Sequence, residues 1–247
     1  MKAPLQVIVT RPSPYGDELC LQLESNDFTA VHSPLIDFKA DDSYSDQQRI
    51  ELLTGCDTWI FVSRQAVNFC FNSLKPEQLE TLQTASQSKR LIAVGPATAQ
   101  ALQSFGFKAM IPATPDSEGM IQLIQQQRLE QQPTCLIRGN QGRQLLQQFF
   151  TDETLHILPV YRRVETDLRL PSLTEQSAVV VTSGQLLELA DKQLKAQPSS
   201  ILPTIIAGSE RICNKARQLG YTNCYTANSA ANSELIKTCI LWRNDVT

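Results

Sequence analysis

The chain carries one run of segments twice, and the second copy is entered at a different point of the cycle. Asp57-Thr-Trp-Ile-Phe-Val-Ser63-Arg-Gln65 matches Ser177-Ala-Val-Val-Val-Thr-Ser183-Gly-Gln185, each an apolar run that ends in Ser ahead of a helix-like stretch. Val7-Ile-Val-Thr-Arg11 matches Cys135-Leu-Ile-Arg138-Gly139, and Ile92-Ala-Val-Gly95 matches Ile205-Ile-Ala-Gly208. Asp116-Ser-Glu118 pairs with Asn232-Ser-Glu234. In chain order the segments read Arg, then Ser, Gly, Ser-Glu, Arg, then Ser, Gly, Ser-Glu. One full set therefore lies inside the other, which implies an inserted domain over 39–156 and a discontinuous domain made of 1–32 plus 165–247. The chain must cross between them twice, at 33–38 and 157–164. Val31–Phe38 and Ile157–Arg163 are the candidate crossing strands, short and β-branched with a proline in each, as suits a sheet edge. The expected architecture is α/β, two parallel-sheet domains with one inserted in the other, joined by a two-stranded antiparallel linker that hinges over a cleft.

Length agrees with this division, since 247 residues at about 150 per domain allow two small cores. The 22 Lys and Arg stand against 25 Asp and Glu, a net charge of -3, with no basic block, which argues against nucleic acid as a partner. No apolar run approaches the roughly 18 residues that span a bilayer, and no charged leader precedes an apolar stretch, so a cytoplasmic protein without a membrane partner is expected. The 7 cysteines are odd in number and show no C-x-x-C spacing; they are expected to be reduced and buried. His32 and His156 lie far in sequence from any cysteine pair with ligand spacing, so no metal is expected.

Short Val- and Ile-rich runs alternate with amphipathic stretches, the pattern of βαβ units. Strands are predicted near 6–10, 58–62, 91–94, 108–111, 134–138, 178–182, 204–207 and 223–226. In a parallel sheet, ligands gather outside the carboxyl ends of strands, and the matched segments set polar residues there. These ends are Thr10-Arg11, Ser63-Arg64, Gly95-Pro96, Arg138-Gly139, Ser183-Gly184 and Gly208-Ser209. Each precedes a helix whose first turn offers unpaired N–H groups, so together they suggest anion sites. Taken singly, Ser, Thr and Gly at such points serve equally as caps and tight turns. Arg11 and Arg138 occupy equivalent turns where capping needs no arginine, with Arg64 and Arg143 near similar ends. There is no G-x-S-x-G elbow, no Cys-His signature, no P-loop and no G-x-G-x-x-G. Tyr161, on the returning crossing strand, is the proton donor that topology sets at the cleft, although a phenol is a modest acid at neutral pH and a strand tyrosine often only packs.

Val-Thr-Arg-Pro at 9–12, Ser33-Pro-Leu-Ile36, Trp-Ile-Phe-Val-Ser-Arg-Gln-Ala-Val at 59–67, Ala-Val-Gly-Pro-Ala-Thr-Ala at 93–99, Ser-Glu-Gly at 117–119, Leu-Ile-Arg-Gly at 136–139, Pro-Val-Tyr-Arg-Arg at 159–163 and Val-Thr-Ser at 181–183 follow one another in an order and spacing that resembles the uroporphyrinogen-III synthase family. That resemblance implies two α/β domains on a two-stranded ladder, and a cofactor-independent, cyclising hydro-lyase. Its substrate would be linear hydroxymethylbilane, closed with inversion of ring D and loss of water. By resemblance Tyr161 assists departure of the substrate hydroxyl, and Thr98 is a cleft threonine. Substrate contacts are expected from Arg11, Ser63, Arg64, Thr98, Ser117, Arg138, Gly139, Ser183, Gly184, Gln185 and Ser209. Where many members carry Gly-Pro-x-Thr in the second domain, this chain reads Gly208-Ser-Glu-Arg-Ile212, so Ser209 or Arg211 would have to stand in for the missing threonine. The resemblance further implies a monomer that receives substrate from hydroxymethylbilane synthase. A non-catalytic two-domain binder of anionic metabolites would share the fold, and a glycosyl transferase would need a nucleotide site that the sequence lacks.

Overall fold

The computed structural model describes residues 5–142, 144–151, 153–198 and 201–246. The chain opens with β1 (Gln6–Val9), α1 (Tyr15–Glu24), β2 (Thr29–His32) and β3 (Ile36–Ala40). It continues through α2 (Asp46–Gly55), β4 (Thr58–Phe61), α3 (Arg64–Phe71), α4 (Pro76–Ser86), β5 (Arg90–Ala93) and α5 (Pro96–Ser104). Next come α6 (Ser117–Gln126), β6 (Thr134–Gly139), α7 (Leu145–Phe149) and β7 (Leu155–Glu165). The last part is β8 (Ser177–Val181), α8 (Gly184–Lys195), β9 (Thr204–Ala207), α9 (Glu210–Gln218), β10 (Cys224–Thr226) and α10 (Asn232–Val246). The chain forms two compact units, one of 1–37 with 164–247 and one of 38–163, so the second is an insertion in the first.

The first unit holds a sheet in the order β10-β9-β8-β1-β2, parallel throughout. The inserted unit holds β3-β7-β6-β4-β5, parallel from β7 to β5. Alternation of side chains along each strand sends its apolar residues to both faces, and helices cover both. In the first unit Ile8, Val179, Val181 and Ile205 pack with residues of α8 and α9, while Val7, Val9, Val180 and Ile206 pack with residues of α1 and α10. In the inserted unit Trp59, Phe61 and Ile137 join the cluster of α3 and α5, and Ile60, Ile92 and Leu136 join that of α6 and α7.

Three sequence expectations change at this level. The run 108–111 forms a single bridge, Met110 to Ile92, in place of a strand. Met110 donates to the Leu91 carbonyl and accepts from the Ala93 N–H, but the next inward-facing ladder position is Pro112, which has no N–H to give. The outward crossing Val31–Phe38 is likewise two strands. Ser33 and Leu35 still donate to Val9 and Thr10 beyond β2, Pro34 between them cannot, and β3 then pairs with β7. The bonds Thr166 N–H to Leu35 carbonyl and Asp41 N–H to Val160 carbonyl run the two strands in opposite directions. Third, five cysteines are free and buried as expected, whereas Cys213 and Cys224 form a disulfide with Cα atoms 5.9 Å apart. That pairing depends on α9 folding back beside β10, which no cysteine spacing announces.

Trp59 is fully buried and its Nε1–H donates to the Leu53 carbonyl at 2.7 Å, tying α2 to β4. Trp59→Ala is expected to destabilise the inserted unit by about 3–5 kcal/mol, the range for a large aromatic deleted from a core, read by urea unfolding.

Candidate active site

Parallel pairing brings the carboxyl ends of β4, β6 and β7 to one edge of the inserted unit. Ser63, just past β4, caps α3 by accepting from the Ala66 N–H at 3.0 Å. Its Oγ also lies 3.4 Å from the hydroxyl of Tyr161 on β7, so one serine serves as cap and as neighbour of the phenol. Arg138, near the end of β6, is buried, and its Nε–H donates to the Gly139 carbonyl at 3.0 Å. Burial pulls this guanidinium below its ordinary pKa, and Tyr161 opposes the shift. The turn wraps closely round it. Gly142 has a φ of 151°, and a Cβ there would sit 2.7 Å from Arg138 Nη2.

Ser63, Ser117, Arg138, Gly139 and Tyr161 line one cavity of about 360 Å³, together with Asp116, Gln141 and Arg163. Ser117 is the first residue of α6, and the cap is Asp116, whose carboxylate accepts from the Gly119 N–H at 2.7 Å. Arg64 opens α3, and Thr98 is buried in the first turn of α5 with its N–H on the Gly95 carbonyl; neither lines this cavity. Arg143 lies outside the described residues. Sequence reasoning gave no role to Asp116, Gln141 or Arg163. The signal for Arg163 was available, because it stands two residues beyond Tyr161 on one strand and thus points to the same face.

The first unit has its own set of strand ends. Thr10 donates its hydroxyl to the Val180 carbonyl at 2.7 Å, joining β1 to β8. Arg11 reaches Asn232 at the start of α10, Nη1 to Oδ1 2.6 Å, and its guanidinium lies over the Tyr15 ring, 5.4 Å from the centroid. His32 Nε2 is 2.9 Å from the Arg11 carbonyl, and Nδ1 is 2.9 Å from Asp17. Gly16 leaves room for that ring, since a Cβ there would fall 2.1 Å from Nε2. Ser183 caps α8 by accepting from the Leu186 N–H at 3.1 Å; Gly184 opens that helix, and Gln185 is exposed on its first turn. Ser209 caps α9 with no side-chain bond. His156 is exposed on β7.

Ser63 and Ser183 have the same cap geometry, which sets the register between the two units. Phe61 pairs with Ile137 and Val180 pairs with Val9, so Arg138 and Arg11 are equivalent, as the sequence match implied. The Gly segments shift by one residue. Phe61 pairs with Ala93 and Val181 with Ala207, which sets Gly95 against Ser209 rather than Gly208, and Thr98 against Ile212. Both Gly95 and Ser209 are N-caps, in agreement. Ile212 is buried in the first unit's core, so the counterpart of Thr98 carries no hydroxyl.

Among the described residues no three His, Cys, Asp or Glu side chains gather as a metal site, and no helix is long and apolar enough to cross a membrane. Fold and site together define a two-unit α/β protein whose strand-end pocket is lined by hydroxyl and guanidinium groups. The family described as Uroporphyrinogen-III synthase HemD matches residues 17–237. The uroporphyrinogen-III synthase of Escherichia coli K12 is 27% identical, over 94% of this chain and 99% of its own. That of Salmonella typhimurium LT2 has the same identity and coverage. In fold, the chain is similar to the uroporphyrinogen-III synthetase of Helicobacter pylori 26695, with a TM-score of 0.64 at 18% identity over 96% of this chain and 99% of the other. A mutant uroporphyrinogen III synthase of the extremely thermophilic bacterium Thermus thermophilus gives 0.59 at 13% identity over 98% of each chain. The chain belongs to the uroporphyrinogen-III synthase family, whose members are cyclising lyases of porphyrin biosynthesis.

Loss of a side-chain cap typically costs about 1 kcal/mol. Ser63→Ala should therefore lower unfolding free energy by about 1 kcal/mol, and Ser209→Ala, with no side-chain bond to lose, by a few tenths at most. Urea titrations of the two variants make the comparison.

Proposed function

We propose that this chain converts hydroxymethylbilane into uroporphyrinogen III, inverting ring D and releasing water, in the synthesis of haem and sirohaem. The observation that carries the reading is the Tyr161 hydroxyl, 6% exposed as a residue, beside Ser63 Oγ in a cavity that Arg138 also lines. The terminal hydroxymethyl group of the substrate sits on an electron-rich pyrrole. The pyrrole nitrogen pushes its electron pair toward the ring while the Tyr161 phenol gives a proton to the departing hydroxyl, so water leaves and an azafulvenium cation remains. The substituted carbon of ring D attacks that cation to form a spiro intermediate. Fragmentation and reclosure at the other ring position then invert the ring, and loss of a proton restores the pyrrole. The substrate supplies the electrons, so the protein's work is to hold geometry and charge.

Under this reading Arg138, Ser63, Ser117 and Gly139 meet the acetate and propionate arms in the inserted unit, with Arg64 and Thr98 on the neighbouring helices. Arg11, Ser183, Gly184, Gln185 and Ser209 do so in the first unit. Guanidinium forks pair well with carboxylates, which supports Arg138 and Arg11 most strongly. The reading takes the protein as a cytoplasmic monomer. It receives substrate directly from hydroxymethylbilane synthase, because a bilane that closes unaided gains from a short transit.

Freshly generated hydroxymethylbilane should give type III uroporphyrinogen in the presence of the protein, resolved from type I by isomer chromatography after oxidation; type I product alone would sink the proposal. Tyr161→Phe should slow turnover by about 10- to 100-fold without ending it, at or below the lower limit usual for general acid catalysis because the substrate supplies most of the driving force. Complete loss in a folded variant would mean that the phenol does far more than assist departure.

A further inference from the structure

Gly139 is the residue opposite Tyr161 at the end of the β6–β7 ladder. The pairing advances by one residue on β6 and two on β7 there, from Arg138 opposite Pro159 to Gly139 opposite Tyr161, so this shift alone brings the glycine beside the phenol. A Cβ on Gly139 would lie 2.6 Å from Tyr161 Cε2, 2.7 Å from Cζ and 3.1 Å from the hydroxyl oxygen. Those distances are inside van der Waals contact, so any side chain would occupy space the ring now fills. Backbone conformation does not explain the glycine, because the positive-φ glycines are Gly106, Gly142 and Gly220. The ring has little freedom to retreat. Phe38 meets it edge-on with centroids 5.2 Å apart, and Phe69 lies against it at 5.7 Å.

We propose that Gly139 is a positioning residue, its missing side chain being the slot that fixes the Tyr161 hydroxyl beside Ser63, with Phe38 and Phe69 as the other walls. The proposal rests on the reading of Tyr161 as the acid that assists hydroxyl departure. A displaced ring would move the acid away from the departing oxygen, and misplacement of a reacting group by about 1 Å costs on the order of 100-fold in rate.

The test combines kinetics with fluorine NMR on protein labelled with 3-fluorotyrosine, the Tyr161 signal being assigned by its absence in Tyr161→Phe. Gly139→Ala is expected to shift that signal, to lower kcat by about 10- to 100-fold with KM changed less than about threefold, and to add no further loss when combined with Tyr161→Phe. An unmoved Tyr161 signal, or losses that multiply in the double variant, overturns the proposal. If Tyr161→Phe itself turns over at the full rate while Gly139→Ala shifts the signal, the slot stands and the acid assignment falls. Should Gly139→Ala fail to fold, Phe69→Leu probes the same slot from another wall, with the same signal shift and kcat loss expected; no shift there counts against the proposal equally.

Discussion

The pairing of β1 with β8 governs the rest of the molecule. Thr10 and Val180, joined by one hydrogen bond, are 170 residues apart, and β1 sits inside its sheet with β2 on its other side. Everything from 38 to 163 must leave and return within that one closure. Loop-closure entropy rises only with the logarithm of loop length, so a long insertion is tolerated, more so when it folds on its own core. The inserted unit meets that condition, with two apolar clusters on the two faces of its sheet. The two passages through β3 and β7 follow from the same fact, since the chain leaves after the edge strand β2 and must come back to set β8 against β1.

The same strand order in both units produces a site in one and a variation on it in the other. Ser63 and Ser183 keep the same cap, and Arg138 and Arg11 keep the same position, because each ends a strand whose neighbours are fixed by ladder hydrogen bonds. Their surroundings have diverged. Arg138 is enclosed by the 139–142 turn and faces a tyrosine, while Arg11 is held by Asn232 and lies over Tyr15. Where the inserted unit has Thr98, the first unit has Ile212 packed in its core, so that helix position carries a hydroxyl in one copy only.

Much of this was legible in the sequence. A fully buried parallel strand needs an unbroken Val- and Ile-rich run, and a helix after it needs a cap, so Ser63 and Ser183 could be found by composition and spacing alone. The Met110 segment has the same composition as a strand, but its length depended on a donor that Pro112 lacks. The Gly segments were matched one residue out of register because Gly208 looks like Gly95; ladder pairing sets Ser209 there instead. Arg163, Asp116 and Gln141 gave weaker signals, for a cavity is lined by whatever the folded turns bring to it.

The sequence by itself determined the α/β class, the nested order of the two units and the polar residues at the strand ends, because hydrophobic period and segment order are local properties that no fold can alter. Only the tertiary structure decided the one-residue shift that sets Gly139 beside Tyr161, the Cys213–Cys224 disulfide, and which strand-end groups share a cavity. Those outcomes depend on distances across strands and helices far apart in the chain, and such distances are fixed by packing and ladder register once the whole sheet has formed.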